Sequence, residues 1–176
     1  MAQLIRFPVP PIPYPHRSTD LDTAEYALLI AVRWWVANHR NGTDPLPRLC
    51  QALGVAGVRD AAFSVDQLMS IVARTARHPI AIHCPCCPGL SADEMCLLHA
   101  AGIAQAGNEQ LAEKALRTAL LSAQGAEFAL GPLEGLGELF AEARLFLRKR
   151  SAPWQAHTTP GTAAPKPAAI PAKTIH

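Results

Sequence analysis

The chain has 176 residues with 49% hydrophobic but only 6% aromatic content, which excludes a disordered chain and favours helices packed through alanine and leucine over an aromatic-rich β-sandwich. Sixteen basic and 14 acidic residues leave a formal charge of +2, too little to draw the whole protein to nucleic acid or an anionic membrane. The longest apolar run, Tyr26 to Val32, stops at Arg33, well short of the ~20 residues of a membrane-spanning helix.

Residues 1–18 carry Pro8, Pro10, Pro11, Pro13 and Pro15, which fix φ and remove backbone donors, so an extended arm is expected. The first residues show no apolar core or cleavage-site pattern of a secretory signal, and a cytoplasmic location is expected. Ser18 to Thr23 offers N-cap candidates for a first helix over Ala24 to His39, ended at Asn41-Gly42. Asp44-Pro45 opens a second helix that closes at Gly54. Apolar positions from Val58 through Ala62, Val65, Leu68, Met69, Val72 and Ala76 follow helical spacing as far as His78-Pro79.

Ser91-Ala92-Asp93-Glu94 has the serine-to-glutamate spacing of a capping box and predicts a helix to Ala106. A further helix is expected over Glu109 to Ala123, and a last one from Pro132 through Leu136, Phe140, Ala143 and Leu147. The fold class is therefore all-α, an irregular bundle or orthogonal array of about six helices over residues 19–150. The segment 151–176 holds Pro153, Pro160, Pro165, Pro167 and Pro171 among alanine and threonine; that composition predicts a disordered tail.

The chemistry is concentrated in the turn His83-Cys84-Pro85-Cys86-Cys87. Five cysteines, three of them within four residues, suit reduced thiols better than a disulfide scaffold. Cys84 and Cys87 form a C-x-x-C, while Cys96 and His99 stand three apart on one face of the helix that follows. The four make a candidate zinc site of Cys3His type, with Cys86 and His83 as alternates. A competing reading makes Cys96 a buried core thiol and the turn cysteines occupants of a Pro-Gly loop.

The stretch from Arg77-His78-Pro79 through this turn into Leu90-Ser91-Ala92-Asp93-Glu94, with the tryptophan-containing helix before it, resembles small uncharacterised helical proteins of alphaproteobacteria. In those proteins an arginine-proline break leads to a cysteine-containing turn and an Ala-Asp-Glu helix start. The resemblance implies a helical fold and a bacterial cytoplasmic origin, and it brings no established function.

Two other groups are candidate interaction residues. Trp34 and Trp35 lie beside Arg33, His39 and Arg40, and because neighbours on a helix point about 100° apart, one tryptophan is expected in the core and the other near the surface. Arg148, Lys149 and Arg150, with Arg144, are expected to form the basic end of the last helix. The chain has no G-x-S-x-G, H-E-x-x-H, phosphate loop or dinucleotide fingerprint. The expectation is a non-catalytic helical interaction or regulatory protein with a protein partner and a candidate zinc knuckle. The alternatives are a thiol- or metal-dependent redox protein, or a weak nucleic-acid binder using the basic end.

Overall fold

The computed structural model describes residues 12–152, and the expected disorder of the tail beyond residue 152 and the first residues of the arm fall outside that span. Seven α-helices follow a short 3-10 turn: α1 Thr23–Arg40, α2 Leu46–Val55, α3 Ala61–Thr75, α4 Ala92–Gln105, α5 Glu109–Ala119, α6 Ala123–Phe128 and α7 Leu130–Glu142. The protein is all-α, and the described residues contain three isolated β-bridges but no strand. None of these helices is long and apolar enough to cross a membrane.

The helix starts follow the chemistry of their first turns. Asp22 and Ser91 each close a capping box with the glutamate three residues on, Glu25 and Glu94, so that side chain and backbone satisfy one another's unpaired donors. The Asp44 carboxylate accepts the Leu46 N–H at 3.0 Å, where Pro45 stands at the N-cap of α2. The core is mostly leucine and alanine: Leu28, Leu49, Leu53, Val65, Leu116, Leu133 and Phe140 are almost wholly enclosed. Burying such side chains contributes roughly 1.5–3 kcal/mol each before chain entropy is set against it.

Two expected boundaries are corrected. The helix expected over Glu109 to Ala123 ends at Ala119, because Leu120 and Leu121 are both fully buried and the chain there pairs with the end of α3. Arg77 N–H donates to Leu120 O at 2.9 Å and Ser122 N–H to Thr75 O at 2.9 Å. Ser122 then caps α6 through the Gly125 N–H, and Gly125 packs so tightly on Thr75 that a Cβ there would collide with its side chain.

The last helix does not reach Leu147. Arg144 adopts φ +59°, its N–H bonding Ala141 O and the Leu145 N–H bonding Phe140 O at 2.8 Å. This is the double bond of a Schellman stop, with arginine where glycine is usual. The chain then runs extended along α4. Gln105 holds it there: Nε2 donates to Leu145 O at 2.9 Å and to Gly137 O at 3.2 Å, and Oε1 accepts from Leu147 N–H at 2.7 Å. It passes Gly102 at van der Waals distance, where a Cβ would stand 3.4 Å from Arg148 O.

Candidate functional site

The cysteine turn is fastened to the domain from below. Arg33, wholly buried on α1, donates from Nε to Glu94 Oε1 at 2.7 Å and from Nη2 to Oε2 at 3.0 Å, a bidentate pair. Its remaining donors reach the loop carbonyls, Nη1 to Cys87 O at 2.6 Å and Nη2 to Gly89 O at 2.5 Å. Glu94 also accepts the backbone N–H groups of His83 and Ser91, at 3.0 and 2.9 Å. Burial alone pushes the Glu94 carboxyl up, but the bonds from Arg33, Ser91 and His83 outweigh it and hold the group below the usual carboxylate range. From the other side, Ser18 N–H donates to Pro88 O at 2.7 Å, Asp93 accepts the Ala81 N–H at 2.7 Å, and Ser91 Oγ bonds Ala81 O.

This anchoring separates the two halves of the expected zinc set. The turn is fixed to the Glu94 side of α4, and Cys96 sits two residues on, about 160° around the helix. Cys96 is buried among apolar neighbours, where burial, with the Asp93 charge adding to it, pushes its thiol up to about 12. His99 instead faces a groove between α4, α5 and the terminal segment, and burial holds its imidazole below the ordinary value. Thus Cys84 and Cys86 are brought together, with Sγ atoms 3.1 Å apart, Cys87 is half-buried beside them, and His83 Nδ1 lies 3.2 Å from Gly89 O. Cys84, Cys87, Cys96 and His99 do not converge, and among the described residues no three His, Cys, Asp or Glu side chains are grouped to hold a metal ion.

The tryptophans divide as neighbours on a helix should. Trp35 is buried, donates from Nε1 to Asp66 at 2.7 Å and stacks on His39 with ring centroids 4.5 Å apart. Trp34 is half-buried under the Arg48 guanidinium, 4.1 Å from its ring centroid. Trp35 is therefore committed to packing within the fold, while Trp34 keeps part of its ring at the surface.

The basic end is not a helix end, and its three residues differ in role. Arg150 is buried and grips Glu25 through Nε to Oε1 at 2.5 Å and Nη2 to Oε2 at 2.6 Å. Its Nη1 donates to Pro13 O at 2.9 Å, and its guanidinium lies 5.2 Å from the centre of the Tyr14 ring. Arg148 pairs with Asp22 at the surface, and Lys149 is exposed.

The Arg148–Ala152 segment forms one wall of the groove that His99 faces, a concavity of about 560 Å³. Ile103 of α4, Ala106 just beyond its end, and Leu111 and Ala115 of α5 supply apolar lining, while Lys114, Arg148 and Lys149 supply positive charge. No aspartate or glutamate is among its described lining residues. The sequence flagged the arginines and Lys149 but not the groove, because Lys114, Ile103 and Leu111 join them only once Gln105 has drawn the extended segment onto α4. The chain matches no protein-family model, no curated protein and no solved structure.

Proposed function

We propose that this is a non-catalytic helical interaction protein, and that the α4–α5 groove receives an acidic segment of a partner protein bearing at least one apolar side chain. The observation that carries this reading is the joining of apolar lining from Ile103, Leu111 and Ala115 with positive charge from Lys114, Arg148 and Lys149, with no described carboxylate lining the groove. Its volume lies within the 300–1,000 Å³ typical of binding pockets. The cations favour carboxylates by charge complementarity and the lining favours an aliphatic or aromatic anchor. Arg148, already paired with Asp22, is the weakest contributor to that field; Lys114 and Lys149 have no such pair among the described residues.

The test is fluorescence anisotropy of the full chain with a labelled octapeptide alternating leucine and glutamate. Saturable binding that weakens with salt is expected, together with a loss of about fivefold or more in Lys149→Glu and in Lys114→Glu. Equal binding of a leucine-lysine peptide, an unchanged affinity in both variants, or tighter binding of single-stranded DNA at the same groove would overturn the assignment.

A further inference from the structure

The groove leaves unused the clustered thiols at the tip of the cysteine turn. Cys84 to Cys87 form a tight turn closed by the Cys87 N–H on Cys84 O at 3.0 Å, with Pro85 at its second position pre-setting the backbone. The turn directs two exposed thiols at one another, Cys84 Sγ to Cys86 Sγ at 3.1 Å, close enough for one S–H to donate to the other sulfur.

The base of the turn is rigid, since the Arg33 guanidinium holds the carbonyls of both Cys87 and Gly89. The tip projects into water free of that clamp. The sulfur-to-sulfur hydrogen bond also makes the two thiols unequal. It lowers Cys84 below the ordinary thiol value and raises Cys86 above it. Cys50 and Cys96 stand elsewhere, half-buried and buried.

We infer that Cys84 and Cys86 form a dithiol exchange site for low-molecular-weight disulfides, with Cys84 as the attacking sulfur and Cys86 as the resolving one. The Cys84 thiolate attacks one sulfur of R–S–S–R; that S–S bond breaks, a Cys84 mixed disulfide forms, and RS⁻ leaves and takes up a proton from water. Cys86 then gives its proton to solvent and attacks Cys84 Sγ; the mixed disulfide breaks, a Cys84–Cys86 bond forms, and the second RS⁻ leaves and is protonated. The dithiol is oxidised by two electrons, and the small disulfide is reduced to two thiols. Attack depends on thiolate fraction and access, and Cys84 has the advantage in both over the buried Cys96. The reaction is confined to the tip, so the Arg33–Glu94 clasp persists through it.

The experiment treats the reduced full chain with oxidised glutathione, quenches with a maleimide at successive times, and locates products by intact mass and peptide mapping. A transient single glutathione adduct on Cys84 is expected, giving way to loss of two hydrogens in the peptide containing Cys84 and Cys86. Cys86→Ser should retain the adduct on Cys84. Cys84→Ser should slow modification of the turn by about tenfold or more. A Cys84 adduct in the unaltered chain that never resolves, a disulfide joining Cys87 to either neighbour instead, or modification of Cys84 no faster than of Cys50 would each overturn the proposal. Both serine variants replace exposed side chains, and an unchanged melting temperature verifies that they fold.

Discussion

Arg33 meets Glu94 from inside a helix, whereas Arg150 meets Glu25 from an extended segment, yet the two clasps are assembled from the same parts. Each glutamate is the third helical residue of a capping box, each arginine binds it bidentately, and each arginine reaches carbonyls of irregular chain with its spare donors: Cys87 and Gly89 in one case, Pro13 in the other. The difference lies in what is held. Arg33 is a fixed post in the core, and the cysteine turn hangs from it. Arg150 is itself carried by the segment it secures, so it locks residues 12–18 and 145–152 onto α1 together. In both places the carboxylate that caps a helix also serves as the anchor for adjacent loop.

The sharpest way to break the comparison is Glu94→Gln, which leaves Arg33 charged and buried without its counterion. A loss of about 3–5 kcal/mol in chemical denaturation is expected, and an apolar Arg33→Met, Glu94→Leu pair should not restore it, because the Cys87 and Gly89 carbonyls and the His83 and Ser91 N–H groups would lose their partners. Glu25→Gln should cost less, about 2–3 kcal/mol, because the segment bearing Arg150 can peel off and return its charge to water. Its signature is loss of amide protection at Ser151 while the cysteine turn stays protected, and equal deprotection of both regions would contradict the distinction drawn here.

Acid sharpens the same contrast. Glu94 is held below its ordinary range, so the stability it supplies is fully present above the unfolded carboxylate value of about 4.3 and is lost as pH falls through the lower folded value. Amide protection at His83 and Ser91 should therefore survive past pH ~4 and collapse below it, as read by hydrogen exchange. The smallest expected effect is at the stop of α7. Arg144→Gly should raise stability by about 0.5–1 kcal/mol, because glycine adopts φ +59° without strain, and a destabilised variant would show that the Arg144 side chain does more than turn the chain.

The legibility of these features in the sequence follows a physical rule. Ser91 with Glu94, and the pattern of Val65, Leu68, Met69 and Val72, are local signals, and the helices they mark lie where expected. Leu120 and Leu121 are as compatible with a helix as with a buried crossing, and only their contact with the end of α3 decides between them. Arg144 carries no glycine signature, so the last helix reads too long. Arg33 and Arg150 look like surface cations, because nothing near them in the chain reveals a glutamate 61 or 125 residues away. The cysteine turn was visible as a cluster, but its pairing of Cys84 with Cys86, and its separation from Cys96 and His99, depend on which side of α4 Glu94 presents to it.

The wider of these two glutamate–arginine separations also sets a schedule for the protein's birth. Glu25 is synthesised 125 residues before Arg150, an interval of about 6–25 s at ordinary rates of translation. Throughout it, the first helix carries a carboxylate whose eventual counterion does not yet exist, so the nascent chain cannot bury that face without penalty. The clasp on Glu25 can therefore close only after every helix from α1 to α7 has been synthesised.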